Sequence, residues 1–338
     1  MTDLLPRLLT GAGERPMTDL ESHIDVHGPL PLPGGSTSER LIELVEAAGL
    51  RGHGGASFPA AKKMRAVASR RGRPIVVANG CEGEPASRKD RLLLSELPHL
   101  VLDGAAVAAR AVGARQAIVG LPGDDEQGIS TVQRAVRARK RAALCGDPSF
   151  EVAVVEPHYL AGQESALVSA LGDGPGKPSF TPPRPFERGV RGRPTLVQNV
   201  ETLAHLALIA RHGAAWFREL GTPSDPGSTL VTVSGAVAVP GVYEIEHGMP
   251  LDELLESAGL DDRLAGVLVG GYFGTWLAAS DVPGLQLAGE NLARHGATLG
   301  AGVIVALGGS ACPVAESSRI AEFFAGQSAG QCGPCVNG

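Results

Sequence analysis

Aromatic side chains are scarce: eight Phe, three Tyr and two Trp in 338 residues. With 46 glycines and alanine-rich helical stretches beside them, that scarcity argues against an all-β protein and for α/β packing. Five cysteines are too few for a disulfide framework at this length, and Cys332 and Cys335 are the only close pair. Long basic runs are missing. The one short block, Arg137–Arg141, ends a predicted helix where cations suit the helix dipole, so no nucleic-acid surface is expected. No segment approaches the roughly 20 apolar residues of a membrane span. Asp3 and Pro6 interrupt any leader pattern, so a cytoplasmic chain, or one peripheral to a membrane complex, is expected. Nine histidines lack metal-ligand spacing, which argues against zinc. No nucleophile elbow or kinase motif set is found.

Against these absences stands Gly49–Lys63, GLRGHGGASFPAAKK. Gly52, Gly54 and Gly55 free the backbone of Cβ atoms, so main-chain N–H groups can approach a ligand closely. Ser57 occupies an expected N-cap and Pro59 a position near the first helical residue. Ala60–Ser69 reads as a helix, with Lys63 one turn in. Glycines feeding a helix N-terminus predict an anion cradle. The dinucleotide fingerprint does not apply, because Ser38–Ala48 ahead of the loop has a helical pattern and Ser57 stands where a third glycine belongs. A Walker loop is excluded by the lack of Gly-Lys-Ser/Thr. A plain glycine turn between helices is the alternative.

Further along, Pro74–Asn79, Ala117–Leu121 and Phe150–Glu156 read as buried strands. Helices are predicted at Ser87–Ser95, Leu100–Val112, Glu126–Ala142, Gln163–Leu171 and Leu203–His212, with Trp216 beyond the last. This alternation predicts a mostly parallel sheet covered on both faces. Residues 1–37 read as a loosely organised extension, and 38–222 as the first domain. Gly172–Thr195 holds six prolines and five glycines, too long for an idle loop. GTPSDPG at Gly221–Gly227 marks a boundary. Beyond it, a hairpin at Thr229–Val237 and Val242–Glu246 is followed by a helix, Leu251–Ala258, and strands at Val267–Gly271 and Gly302–Leu307. This order predicts a small β-grasp-like domain over 228–308. An amphipathic helix, Ala315–Gly326, leads into QSAGQCGPCVNG, so 315–338 reads as the start of a further helical region.

Asn79 through Glu84 places two carboxylates and an amide at a strand end, where open α/β sheets bind ligands. Cys81 in this turn reads as a packed cysteine, since neighbouring carboxylates disfavour its thiolate. Tyr159, Gln163, Glu164, Gln198, Asn199 and Glu201 form a third polar set. Cys332-Gly-Pro-Cys335 supplies half of a metal or iron–sulfur site. A thioredoxin-like pair would have to open a helix after a strand.

Taken together, GLRGHGGASFPAAKK, VANGCEGEPASRKDR, HYLAGQESAL, the stretch from Pro175 to Ala204 and SAGQCGPC resemble the NADH-binding flavoprotein subunit of respiratory complex I and its hydrogenase and formate dehydrogenase relatives. The resemblance implies a Rossmann-like FMN-binding domain, a soluble-ligand-binding β-grasp (SLBB) domain and an incomplete iron–sulfur region. By matching position it implies that Gly52, Gly54, Gly55 and Lys63 hold the FMN phosphate region. Asn79, Glu82, Tyr159 and Asn199 would then contact the flavin and ribityl chain, with Phe58, Glu84 and Glu164 on the NADH side. Cys332 and Cys335 would belong to a [4Fe–4S] set, and the implied partner is an iron–sulfur or ferredoxin-like subunit.

The chain departs from that pattern at Cys81 and Gln163, where the family has acids, and at Ala66 and Arg184, where it has phenylalanines. Thr181 stands for a lysine and Ala329 for the first cluster cysteine. Two lost aromatic contacts and one lost charge are worth roughly one to three powers of ten in NADH affinity. The expected activity is flavin-dependent electron transfer from NADH or a similar donor to an iron–sulfur partner. The alternative is a non-catalytic nucleotide-binding or assembly module.

Overall fold

The computed structural model describes residues 5–13, 17–31, 37–180, 182–260 and 263–337. Two sheets organise it. The first has four parallel strands in the order β3-β2-β1-β4: β1 (Ile75–Asn79), β2 (Gln116–Pro122), β3 (Ser149–Val155) and β4 (Thr195–Asn199). β1, β2 and β4 are short, mostly apolar runs, as buried strands require, whereas β3 is a partly exposed edge strand carrying Glu151. In register, Asn79 pairs with Asn199 and with Gly120, so the carboxyl ends of β1 and β4 finish side by side. That alignment carries the acidic turn and the start of the next helix to one edge.

The helices of this half are α1 (Leu20–His27), α2 (Ser38–Ala48), α3 (Ala60–Ala68), α4 (Lys89–Glu96), α5 (Pro98–Val112), α6 (Glu126–Ala142), α7 (Glu164–Leu171), the single turn α8 (Pro185–Arg188) and α9 (Val200–Phe217). Helix α5 is buried along nearly its whole length, and its Gly104 lies so close to the Leu203 carbonyl of α9 that no Cβ fits between them.

Three expectations are corrected here. Within 1–37, predicted to be loosely organised, α1 is docked: His23 bonds Asp103 of α5 at 2.8 Å, and Asp103 also takes Arg139 at 2.7 Å and Arg211. Asp103 is buried; the surrounding cations and His23 overcome the burial and hold its carboxyl well below the usual range. Helix α9 starts three residues earlier than its apolar period suggested, because Asn199 caps it, and it runs past a break at Gly213 (φ 89°) so that Trp216 lies inside it. Helix α4 starts two residues late, because its first N–H groups are satisfied from Glu82, a residue of the acidic turn.

The second sheet has the order β6-β5-β9-β7-β8, built from β5 (Ser228–Gly235), β6 (Gly241–Glu246), β7 (Leu264–Val269), β8 (Thr275–Ala278) and β9 (Val303–Gly308), with α10 (Leu251–Ser257) and α11 (Gly289–Ala293). β5 and β6 form the expected antiparallel hairpin and β5 pairs parallel with β9. β8, a four-residue edge strand, gave no readable period. α12 (Pro313–Gly326) and α13 (Gly333–Asn337) follow. No single helix among the described residues is long and apolar enough to cross a membrane.

Candidate functional site

A cleft of about 440 Å³ opens where the carboxyl ends of β1 and β4 meet the loops of the second sheet. The glycine loop lines one wall with His53, Gly54 and Gly55. The acidic turn lines another through Asn79, Glu82 and Glu84, while Tyr159 and Asn199 come from the neighbouring segments. The second sheet contributes Gly270, Phe273, Gly274, Thr298, Gly300 and Ala301. Gly55 has φ 98°, a conformation L side chains rarely adopt, and lies against Gly300 from the other sheet. A Cβ on Gly54 would lie 3.4 Å from the Asn199 side chain, an ordinary contact, so steric closure does not by itself demand glycine there.

The acidic turn is tied down on both sides. Asn79 donates to the Gly162 carbonyl at 2.7 Å and accepts from the Cys81 N–H at 3.1 Å. A Cβ on Gly83 would overlap the Tyr159 carbonyl, and one on Gly162 would overlap the Cys81 carbonyl. Cys81 is buried, and burial followed by Asp90 pushes its thiol up to about 12, so it is inert in this setting.

Glu82 accepts from the N–H groups of Asp90 (3.2 Å) and Arg91 (3.3 Å) and from the Ser87 hydroxyl. Burial, then Asp90, pushes Glu82 up from 4.5 to about 7. A folded value above the unfolded one means that the group's contribution is complete below about pH 4.5 and is lost as pH rises through about 7. The ligand-free protein is therefore expected to lose stability between about pH 4.5 and 7, and Glu82→Gln to flatten that slope. Urea unfolding at several pH values reads it; an unchanged slope in the Gln variant overturns the assignment.

On the cleft floor is a residue that the sequence reading missed. Lys89 is buried and pairs with Asp90 at 2.8 Å and with Glu201 at 2.8 Å. Burial opposes its charge, but the two carboxylates outweigh burial and hold the ammonium above its usual range. Glu201 is pulled down to about 2, against its burial, chiefly by Lys89. Its Oε1 accepts from Thr229 (3.0 Å) and from the Leu230 N–H (2.9 Å), which ties the two sheets together. His53, Glu201 and His205 bring ligand atoms within 4.8 Å of one another, although their sequence spacing gave no metal pattern. Burial keeps both histidines below their usual value, and Lys89 already supplies the cation at Glu201. The readable signals were the lysine directly after the acidic turn and the four-residue step from Glu201 to His205.

Of the eleven cofactor-side residues expected, Gly54, Gly55, Asn79, Glu82, Glu84, Tyr159 and Asn199 line the cleft. Asn199 is also occupied internally: it caps α9 at the Glu201 N–H (2.9 Å) and donates to Asp90 at 2.6 Å. Gly52 faces an adjoining cavity of about 230 Å³. Phe58, Lys63 and Glu164 do not line the cleft. Lys63 is not free for an anion, because its ammonium pairs with Glu164 at 2.6 Å. Ser57 does not cap α3; it takes φ 47°, and Pro59 is the residue before the helix. Gln163 lines the cleft and also caps α7, accepting from the Ala166 N–H at 2.8 Å. None of the described residues between 172 and 195 lines the cleft; Lys177 and Pro178 bond Ala329 and Gln331 of the C-terminal segment instead. Thr181 lies outside the described residues.

The residues fit a flavin: a glycine-walled cleft with hydrogen-bonding groups and aromatic surface, of a volume suited to such a ligand. They do not fit a four-iron cluster. Cys332 is exposed, Cys335 is partly exposed on α13, and the one grouping of three ligand atoms among the described residues contains no cysteine.

Comparison with known proteins agrees with this architecture. Residues 45–208 match the family model described as the Nuo51 FMN-binding domain, and 230–260 match the SLBB domain. An NADH-quinone oxidoreductase subunit of Rhizobium meliloti (strain 1021) is 34% identical over 320 residues, covering 90% of this chain and 75% of that protein. The NAD-reducing hydrogenase HoxS subunit alpha of Cupriavidus necator is 35% identical over 269 residues, covering 77% of this chain and 44% of that one. A crystal structure of NAD+-reducing [NiFe]-hydrogenase in the air-oxidized state superposes with a TM-score of 0.85 at 36% identity, over 98% of this chain and 56% of that one.

Proposed function

The chain belongs to the family of FMN-binding NADH-quinone oxidoreductase subunits, and we propose on that footing that it holds FMN in the cleft between its two sheets and serves electron transfer from NADH or a similar donor to an iron–sulfur partner subunit. A bound flavin supplies two-electron to one-electron conversion. The protein's own work is placement. The loop at Gly54 and Gly55 leaves backbone N–H groups free for the phosphate end. Glu82 and Glu84 present carboxyl groups to the polar part of the ligand, and the loops at Gly270–Gly274 and Thr298–Ala301 cover it from the second sheet. Lys89 and Asp90 form part of the cleft floor, and Glu201 behind them holds it rigid. No side chain is required as an acid or base.

The observation that carries this reading is the convergence of glycine loop, acidic turn and β-grasp loops on one cleft. An anaerobic visible spectrum of the FMN-reconstituted protein, titrated with NADH and then dithionite, tests it. Bleaching by NADH supports donor oxidation. Bleaching by dithionite alone supports a flavin carrier fed by another donor. A colourless protein that gains no flavin from FMN supports the non-catalytic module. Replacing Gly55 with valine forces a β-branched residue towards φ 98° and is expected to weaken FMN binding about tenfold, measured by fluorescence titration.

A further inference from the structure

The second sheet is apolar on both faces but fully covered on only one. Val231 and Val233 of β5, Val267 and Val269 of β7, and Ile304 and Ala306 of β9 point into the core beneath α10. Strand alternation then puts Thr232, Ser234, Leu268, Val305 and, on β8, Trp276 on the opposite face. A sheet face left to water reads polar along its strands, and Leu268, Val305 and Trp276 do not. α12 and the segment after the acidic turn roof this face in part. Between them and the strands lies a cavity of about 720 Å³, larger than the flavin cleft.

The cavity is walled on several sides. Pro85, Ala86 and Arg88 close the end nearest the cleft, where the Arg88 N–H donates to Thr232 at 3.0 Å. Pro240 and Gly241, in the turn from β5 to β6, close the other end, and α12 runs alongside. Such an enclosure, at a volume inside the roughly 300–1,000 Å³ of small-molecule sites, suits a compact ligand better than a partner's helix or strand. Its charge is one-sided. The Arg88 guanidinium bonds only backbone carbonyls, those of Pro85 at 2.9 Å and Ser87 at 2.7 Å, and no carboxylate among the described residues pairs with it. Glu316, the carboxylate in the lining, is already held by Arg319 at 3.0 and 2.9 Å, and Arg319 also donates to the Tyr272 hydroxyl at 2.5 Å. One exposed cation is left over above an apolar floor that carries a half-buried indole.

We propose that this cavity is a second ligand site, taking a flat aromatic molecule that carries one anionic group. The ring lies over Leu268, Val305 and Trp276, and the acid faces Arg88. The site is back to back with the cleft. Glu84 and Phe273 line the cleft, Arg88 and Tyr272 line the cavity, and the Tyr272 N–H donates to Glu84 at 3.0 Å across the wall between them. The site rests on its own lining and stands whether or not the cleft holds flavin.

Isothermal titration calorimetry of the whole chain with 2-naphthalenesulfonate, and with the uncharged 2-naphthalenemethanol, tests this. One sulfonate per chain is expected to bind, with a Kd on the order of 100 µM and the alcohol about tenfold weaker. Arg88 is exposed, so Arg88→Met keeps the parent's melting temperature. It is expected to weaken the sulfonate about tenfold and leave the alcohol unchanged, while Arg88→Lys keeps most of the sulfonate affinity. Trp276 does not line the cleft, so a variant there separates the two sites. Trp276→Ala is expected to weaken both probes about tenfold, and Trp276→Phe, which keeps a flat face in the same fold, to weaken them less. Equal binding of sulfonate and alcohol overturns the anion requirement. Binding that neither Arg88→Met nor Trp276→Ala alters lies elsewhere, the cleft included, and overturns the site. No binding up to about 5 mM overturns it too. So does a chain that sediments as a dimer and becomes monomeric in Trp276→Ala, because a second copy then covers this face.

Discussion

Replacing Lys89 with methionine is expected to destabilise the protein by about 3–5 kcal/mol, because it leaves Asp90 and Glu201 buried without their cation. For a chain of this size that amounts to a fall in melting temperature of about 4–7 °C. The pH dependence separates this cause from simple loss of packing. In the parent, Glu201 is held down to about 2, so the pair's contribution is present above the unfolded carboxylate value and is lost only as pH falls towards 2. In the variant the strongest of the influences that hold Glu201 down is gone, leaving burial opposed only by the neighbouring histidines and the bonds from Thr229 and Leu230, so its carboxyl rises. Its stability is then retained at low pH and lost as pH rises, so the deficit is smaller at about pH 5 than at about pH 8. Adding Glu201→Gln to Lys89→Met is expected to recover part of the loss, since the orphaned charge is removed with its partner. A single variant that melts within about 2 °C of the parent at about pH 8 contradicts the ion-pair account.

The cluster explains why the fold was easier to read than the floor of its site. β1 and β2 are continuous apolar runs and α6 carries a long helical period, so neighbours in sequence settle those elements. Lys89, by contrast, owes its burial to Asp90 beside it and to Glu201, far along the chain. The same holds for α1, whose place depends on Asp103, and for the start of α4, whose first N–H groups are satisfied by Glu82. A chain read in windows sees a polar residue at each of these positions and assigns it to solvent or ligand. Asn79 and Asn199 have a second role that no local pattern reports. They line the cleft, but each amide also ties a turn to a helix or a neighbouring loop. Lys63 was read as a phosphate cation because it lies one turn into α3, where a helix N-terminus favours anions. Its partner, Glu164, opens α7, a separation along the chain that no local pattern reports. Phe273 left a trace: two adjacent aromatics flanked by glycines in a sequence with few aromatics.

The acidic turn should be the part of the site least tolerant of added volume. Gly83→Ala is expected to lower FMN affinity more than about a hundredfold and to cost about 1–3 kcal/mol of stability. The reason is reciprocal packing: Gly83 lies on the Tyr159 carbonyl, while Gly162 lies on the Cys81 carbonyl, so the acidic turn and the 3₁₀ turn touch backbone to backbone at two points. No rotamer relieves the clash, because a Cβ has none. The turns must part, and Glu82, Glu84 and Tyr159 move with them, which disturbs most of one wall of the cleft. Gly162→Ala parts the same two surfaces and should have a similar effect. Because either substitution alone opens the seam, the double variant should lose much less than the sum of the two. FMN titration and urea unfolding of the two single variants and the double variant measure this. Full additivity would show that the two contacts yield independently, and unchanged FMN affinity in Gly83→Ala would show that the acidic turn does not form the flavin wall.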